Sequence, residues 1–186
     1  SIFFLSIVSY SSEIWLTCKS STFANSVNPL TSVHKIRKFK MQIYLSGEIH
    51  TNWRDEIIAL CDGLDLTFTS PVLDHAASDD CGVTILGAED NKFWHDHKVA
   101  KVNAIRTRKA ISDADVVVVR FGEKYKQWNA AFDAGYAAAL GKSLIVMHGD
   151  DHQHALKEVD AAALAVTSTP AQVAQILQYV LRGELS

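Results

Sequence analysis

The chain has 186 residues, of which 48% are hydrophobic and 21% are charged, and its formal net charge is −3. These proportions are typical of a globular protein with one main core. The small negative charge gives no electrostatic basis for binding nucleic acid or an anionic membrane surface. No apolar run reaches the ~20 residues that span a bilayer. We therefore expect neither nucleic acid nor a membrane among the partners.

Three cysteines, Cys18, Cys61 and Cys81, are widely spaced and form no CxxC pair. A disulfide framework or a zinc knuckle would need a different number or spacing. This pattern favours a reducing compartment, and we expect a cytoplasmic protein.

Residues 1–40 differ in composition from the rest of the chain. They contain nine serines and a single acid, Glu13, and they end in a basic stretch over 35–40. An acid-poor, serine-rich leader is typical of an organelle transit peptide. Upstream sequence joined before a natural start at Met41 explains the same features. We expect residues 1–40 to be poorly ordered and residues 41–186 to form the folded domain.

From residue 41 onward, short apolar runs alternate with helical patterns. Gly141 is predicted to end one helix, and Thr169, Pro170 and Gln172 form the start signal of the last helix. The predicted elements in chain order are strand 41–46, helix 53–61, strand 64–69, a long polar connection over 71–96, helix 97–112, strand 115–119, helix 129–140, strand 144–148, a short helix 153–160, strand 163–167 and a C-terminal helix.

Strands that alternate with helices predict a parallel sheet covered on both faces. We expect a flavodoxin-like (Rossmann-like) three-layer α/β sandwich with five strands in the order 2-1-3-4-5. Ligands of such sheets bind beyond the carboxyl ends of the strands. This rule selects residues 46–54, 70–96, 120–130 and 148–154 as candidate site segments.

The segment after the strongest strand combines aromatic and amide side chains. Tyr125 and Trp128 offer flat faces to a nucleobase, and Gln127 and Asn129 offer polar groups to its edge. The two residues that open the segment complete the predicted substrate contacts: Phe121 and Gly122.

Asp133 shares one face of its predicted helix with Ala137 and Leu140. Because that face should pack on the sheet, the carboxylate would be partly desolvated, with a raised pKa and a functional role. A simple first-turn acid, favoured by the helix dipole, explains the position as well.

Polar residues also follow the first strand. Glu48 or His50 is a candidate general acid, and Arg54 is a candidate phosphate ligand. Arg106, on the helix before the central strand, is a candidate anion ligand. A solvated helix start explains Glu48, His50 and Arg54 nearly as well, and a surface salt bridge explains Arg106 at least as well.

No metal or cofactor is expected. In the pairs His95-x-His97 and His152-x-His154, the two histidines would face the same side only on a β-strand. Both pairs fall in predicted loops and helix starts, where alternate residues point in different directions. The sequence contains no phosphate-binding glycine loop and no nucleophile elbow.

Residues 131–137 read Ala-Phe-Asp-Ala-Gly-Tyr-Ala and are followed by Gly-Lys at 141–142. This pattern resembles the helix that bears the nucleophilic carboxylate in nucleoside 2-deoxyribosyltransferases, where it reads Ala-Phe-Glu-hydrophobe-Gly. The opening Ile-Tyr-Leu-Ser-Gly at 43–47 is similar to the first strand of that family. More narrowly, residues 47–54 and 121–129 resemble signatures of the YtoQ family. The resemblance covers about residues 41–183.

The resemblance implies an enzyme acting on the N-glycosidic bond of a nucleoside or nucleotide, by 2-deoxyribosyl transfer or hydrolysis. Asp133 would be the nucleophile, Tyr44 would orient it, and Gly47 would admit the ligand close to the backbone. Relatives assemble through the helices of this fold, which implies a homo-oligomer.

Two departures from the transferase pattern leave a second interpretation open. Asp133 is one methylene shorter than the family's Glu, and Gln127 stands where the family has an aspartate that handles the base. The proton for the leaving base would then come from Glu48, His50 or Asp96. The alternative is a module that binds a nucleotide-like ligand without turnover; a purely structural subunit is a third interpretation.

Overall fold

The computed structural model describes residues 4–10, 13–19, 34–36, 40–124 and 127–184. The chain separates into two compact units, Ser1–Lys40 and Met41–Ser186. In the first unit, strands β1 (Phe4–Tyr10), β2 (Glu13–Lys19) and β3 (His34–Ile36) form an antiparallel sheet in the order β1-β2-β3. The origin and the degree of order of residues 1–40 stay predictions.

The second unit alternates strands and helices along its length. Its elements are β4 (Met41–Gly47), α1 (Trp53–Leu60), β5 (Leu66–Thr69), α2 (His75–Asp79), α3 (Cys81–Leu86), α4 (Lys92–Asp113), β6 (Val116–Arg120), α5 (Trp128–Ala139), β7 (Ser143–Met147), α6 (Gln153–Ala162), β8 (Ala165–Thr167) and α7 (Pro170–Arg182). Within the described ranges, no helix combines the length and the apolar character that a membrane crossing requires.

The sheet of the second unit has the order β5-β4-β6-β7-β8, and all four strand pairs are parallel. Numbered within the sheet, this is the order 2-1-3-4-5, so the predicted flavodoxin-like topology is confirmed. The chain leaves β4 toward one edge and later returns to β6 on the other side of β4. The crevice between the carboxyl ends of β4 and β6 is therefore the switch point at which such folds bind ligands.

The core lies on both faces of the sheet. Val116 and Val118 pack on one face with residues of α1 and α7, and Val117 and Val119 pack on the other face with residues of α5. All four valines are buried, as the continuous apolar run predicts for a central parallel strand.

Helix α5 approaches the sheet closely because it packs through alanines. Ala130, Ala134 and Ala137 recur on one face, and each is almost fully buried. Small side chains allow the helix backbone to lie near the strands. The residue beside them, Asp133, is thereby brought to the level of the strand ends.

The predicted long polar connection over 71–96 is wrong. The segment contains α2 and α3, and α4 begins at Lys92, five residues before the predicted start. The polar residues that favour a loop are helix caps here: the Asp74 carboxylate accepts from the backbone N–H of Ala77, and the Asn91 side chain accepts from that of Phe93. Asp and Asn serve turns and caps by the same local hydrogen bonds, so composition alone does not separate the two.

The helix-end signals in the second half are confirmed. The Thr169 hydroxyl accepts from the Gln172 backbone, the Gln172 side chain accepts from the Thr169 backbone, and Pro170 opens α7. Gly141 follows α5 with φ 67°, in the left-handed region that favours glycine.

Candidate active site

A cleft of about 1830 Å³ opens at the carboxyl end of β4. One wall is α4, the other is α5, and the turn between α2 and α3 lies at one side. Nine residues that the sequence singled out line it: Gly47, Glu48, His50, Asp96, Arg106, Gln127, Trp128, Asn129 and Asp133. Four others lie outside its lining: Tyr44, Arg54, Phe121 and Gly122. Tyr125 lies outside the described residues.

Asp133 projects from α5 toward the end of β4. It is half-buried, and the Ser46 hydroxyl donates a hydrogen bond of 2.5 Å to its Oδ2. Burial raises the pKa of Asp133 above its ordinary value, and the hydrogen bond from Ser46 acts in the opposite direction. The site therefore holds a partly desolvated carboxylate with a neutral donor on one oxygen, an environment suited to a nucleophile.

Ser46 lines the cleft and contacts Asp133, and the sequence did not single it out. It lies two residues after Tyr44 on β4, so both side chains project from the same face of the sheet. The available signal was a buried hydroxyl at the end of a strand, directly before the glycine at the switch point. Its partner is 87 residues away, so local pattern does not reveal the contact.

Tyr44 is fully buried beneath the site. Its hydroxyl makes no hydrogen bond to Asp133, to which Ser46 donates instead, and the orienting role of Tyr44 stays a prediction. Burial, followed by the Asp133 charge, raises the pKa of Tyr44 to about 12. Hydrogen bonding with the Thr107 side chain and the charges of Arg54 and Arg106 have smaller effects in the opposite direction. Tyr44 is a neutral phenol at physiological pH, and it lies close enough to Asp133 for the aspartate charge to oppose its ionisation.

Glu48 is 5% exposed and is held by several donors. Its carboxylate accepts from the backbone N–H of His50 and, at 2.6 Å, from the Thr51 hydroxyl, and Arg120 Nε lies 3.6 Å away. Burial raises the pKa of Glu48, but the Thr51 and His50 hydrogen bonds and the Arg120 charge together hold it below its ordinary value. An ionised carboxylate is a poor proton donor, so the prediction of Glu48 as general acid does not fit this environment.

Arg54 organises the loop after β4 and does not face the cleft. Its side chain is 4% exposed, and the guanidinium donates to the carbonyl oxygens of Leu45, Gly47 and Glu48 at 2.6–3.1 Å. The predicted phosphate contact is therefore corrected: Arg54 is directed at main-chain oxygens. Burial lowers the pKa of Arg54 to about 10, which leaves it protonated at neutral pH.

Gly47 is required by the sheet itself. It has φ 101°, and a Cβ at this position would lie 2.1 Å from the carbonyl oxygen of Arg120. The backbone of Glu48 donates to that same oxygen. The missing side chain thus lets the ends of β4 and β6 meet. Gly47 also lines the cleft, and a close approach of the ligand to its backbone stays a prediction.

Gln127 uses its amide to close the loop before α5. Its Oε1 accepts from the Gly122 N–H at 2.8 Å, and its Nε2 donates to the Lys124 carbonyl at 2.9 Å. These bonds occupy the groups that were predicted to contact a base edge. Phe121 is likewise corrected, because its ring belongs to the buried core.

The remaining predicted ligand contacts are accessible. Trp128 and Asn129 begin α5 at the mouth of the cleft, and Trp128 is 72% exposed. On α4, the Arg106 guanidinium donates to the Ser70 carbonyl at 3.2 Å, and Asp96 lies 3.3 Å from a ring nitrogen of His95. Among the described residues, no group of three or more His, Cys, Asp or Glu side chains is arranged to hold a metal ion.

Replacing Gly122 by Ala should loosen the loop that leads into α5. The new Cβ would lie 2.5 Å from Cγ of Glu48, whose carboxylate is fixed by hydrogen bonds and cannot yield freely. We expect a loss of about 1–3 kcal/mol in the free energy of unfolding and weaker ligand binding, measured by denaturant titration and calorimetry. Gly135→Ala is the control: its Cβ meets nothing within 4 Å in α5, so it should stabilise the protein. Equal stability of wild type and Gly122→Ala would contradict this account of the loop.

The fold and the cleft define a class of protein: a flavodoxin-like α/β domain with a partly desolvated carboxylate at the switch point of its sheet. Residues 44–181 match the sequence profile of the family described as nucleoside 2-deoxyribosyltransferase YtoQ. The chain is 42% identical over 144 residues to the protein YtoQ of Bacillus subtilis (strain 168), covering 76% of this chain and 97% of that protein. The chain belongs to the YtoQ family.

Two solved structures show similarity in outline. A 2-deoxyribosyltransferase from Bacillus psychrosaccharolyticus superposes with a TM-score of 0.46 and 16% identity, over 72% of this chain and 90% of that one. A 2-deoxyribosyltransferase from Leishmania mexicana superposes with a TM-score of 0.38 and 21% identity, over 57% and 63% of the two chains.

Proposed function

We propose that this protein cleaves the N-glycosidic bond of a nucleoside or nucleotide, by 2-deoxyribosyl transfer or hydrolysis, with Asp133 as the nucleophile. The observation that carries the proposal is the position of Asp133: a partly buried carboxylate, bonded to Ser46, facing a cleft at the switch point of the sheet. Membership of a family described as nucleoside 2-deoxyribosyltransferase supports the substrate class.

In the proposed first step, the free oxygen of the Asp133 carboxylate attacks C1′ of the sugar. The C1′–N bond breaks, the base leaves with the bonding electron pair and takes up a proton, and a glycosyl ester remains on Asp133. A second base, or water, then attacks C1′ and releases the carboxylate. The transition state has oxocarbenium character, so a carboxylate close to C1′ stabilises its positive charge as well as forming the bond.

Trp128 and Asn129 supply the base subsite in this proposal. Asn129 and Asp133 are four residues apart on α5 and therefore share a face of the helix. The exposed indole of Trp128 at the start of the same helix offers a flat apolar surface for a base. Asn129 can then donate to and accept from the polar edge of the base while the sugar lies over Asp133.

His50 and Asp96 are the two lining residues that we propose as proton sources for the leaving base. Glu48, the third group considered, is held ionised by Thr51, His50 and Arg120 and is set aside. Histidine is the side chain that most often performs general acid catalysis. A loss of activity in His50→Gln that is relieved by substrates whose leaving base needs no protonation would assign the role to His50.

The second candidate function is a module that binds a nucleotide-like ligand without turnover. It is favoured by Gln127, which lies at the base subsite and whose amide is hydrogen-bonded to the loop backbone. An amide at this position does not exchange a proton with the base as a carboxylate would. The cleft, the exposed indole and Asn129 would serve binding equally well.

A homo-oligomer is part of the proposal. Ile85, Leu86 and Ile105 stand exposed around the cleft, although they are large apolar side chains. A group of this kind on a globular protein often marks a protein–protein contact. Light scattering of the purified chain should give a mass of two or more copies, and a monomer across the micromolar range would remove this part of the proposal.

The test of function is incubation with purine and pyrimidine 2′-deoxynucleosides, with and without a free acceptor base. Chromatography should show a new nucleoside when the acceptor is present, or free base and sugar when only water is available. Thermal stabilisation by a ligand that is recovered unchanged would favour the binding module. If no member of the series is turned over and none stabilises the protein, both functions are contradicted.

A further inference from the structure

The second oxygen of the proposed nucleophile is held by a residue on a different element. Ser46 Oγ donates to Oδ2 of Asp133 at 2.5 Å, which joins the end of β4 to the first half of α5. The serine is 1% exposed, so water does not compete for this bond. A hydrogen bond to a charged acceptor is stronger than one between neutral groups.

The serine is also fixed in place by the sheet around it. Its backbone pairs with Val119 of β6, and the next pair in register is Gly47 with Arg120. The close approach at Gly47, where a Cβ would meet backbone at 2.1 Å, leaves the strand end no freedom to shift. The donor is therefore held on a rigid element, as a preorganised site requires.

We propose that Ser46 is a positioning residue: by binding Oδ2 it fixes the rotamer of Asp133 and leaves Oδ1 as the oxygen that attacks C1′. This inference rests on the proposed function, and it assigns a role to a residue outside the reacting groups. It also accounts for how a short aspartate is kept in one orientation. Asp133 has fewer side-chain torsions than glutamate, and the bond to Ser46 fixes those that remain.

The same bond opposes the effect of burial on the Asp133 carboxylate by favouring its charged form. Burial raises the pKa of Asp133, and Ser46 is the donor that lowers it again. Tyr44, the other buried hydroxyl nearby, makes no hydrogen bond to Asp133 and does not replace it. Loss of the serine hydroxyl should therefore shift the titration of Asp133 upward as well as loosen its rotamer.

The first experiment is an NMR titration of the carboxyl carbons in protein labelled with ¹³C, with Asp133 assigned by its absence in Asp133→Asn. Ser46→Ala should raise the titration midpoint of Asp133 relative to wild type. Ser46→Thr, which keeps the hydroxyl, and Ser46→Cys, which keeps the size with a weak donor, should fall between them. Thr167→Val is the matched control, since it removes a buried hydroxyl that donates to the Val146 carbonyl on the same sheet.

The second experiment follows turnover against pH. Ser46→Ala should lower kcat by about tenfold or more, which is the value of one hydrogen bond to a charged group, with little change in KM. The acidic limb of the pH profile of Ser46→Ala should move to higher pH. Thr167→Val should change neither kcat nor the acidic limb. An unchanged Asp133 midpoint in folded Ser46→Ala would overturn the proposal. Absence of turnover in wild type would contradict the proposed function instead, and the NMR result would still decide the role of Ser46.

Discussion

Asp133→Asn is expected to lower the rate of 2-deoxyribosyl transfer by about a thousandfold or more, the scale of losing a covalent nucleophile. The amide has the shape of the carboxylate and can still accept the hydrogen bond from Ser46, so the site keeps its form. It does not form an ester with C1′ and does not balance the positive charge of the transition state. The measurement is kcat for base exchange by chromatography, at saturating nucleoside and acceptor.

Asp55→Asn is the matched control, because Asp55 is exposed in the first turn of α1 and does not line the cleft. Its rate should stay within about twofold of wild type, as is usual for exposed sites away from the chemistry. A rate for Asp133→Asn within tenfold of wild type would remove Asp133 from the mechanism.

The stability of Asp133→Asn should also change with pH in a defined direction. Burial raises the pKa of Asp133 in the folded state, so the folded protein binds this proton more tightly than the unfolded chain. The contribution of the group to stability is complete below the ordinary carboxyl pKa and is lost as the pH rises through the folded value. The asparagine variant should therefore gain stability over wild type as the pH rises into the neutral range.

Gly47→Ala is expected to lower the free energy of unfolding by about 3 kcal/mol or more, because two costs add. The residue has φ 101°, which an alanine adopts only with strain, and the new Cβ would lie 2.1 Å from a carbonyl oxygen of Arg120. That oxygen belongs to the backbone of β6, which is packed on both faces and cannot move aside. Urea titration followed by circular dichroism measures the loss.

Gly63→Ala separates the two costs. Gly63 also has a positive φ, 74°, but a Cβ there meets nothing within 4 Å. Its replacement should cost only the strain of the left-handed conformation, about 1–2 kcal/mol. Equal losses in the two variants would show that the contact between β4 and β6 is looser than described.

The architecture was predictable because its signals are local and periodic. The run of valines in β6 predicts a strand buried on both faces, and the capping box at Thr169 predicts the start of α7. The segment that became α2 and α3 was not predictable in the same way. Asp74, which caps α2, and Asn91, which caps the following helix α4, use the same side-chain bonds in a helix cap as in a turn, so the choice depends on tertiary packing.

The candidate site was predictable in place but not in detail. The switch-point rule brings the ends of β4 and α5 together, and Asp133 does lie there. The roles of Arg54 and Gln127 were not predictable, since long polar side chains can face a ligand or fold back to nearby carbonyls with the same sequence. In both cases the main-chain groups of a tight loop are the partners.

The most direct test of the central claim is covalent trapping of the nucleophile. A 2-fluoro nucleoside analogue destabilises the oxocarbenium-like transition state, so the glycosyl ester, once formed, should be released slowly. Mass spectrometry of the intact protein should show one added fluorosugar, and peptide mapping should place it on Asp133. No adduct with any 2-fluoro nucleoside that binds, or an adduct on another residue such as Glu48, would contradict the account.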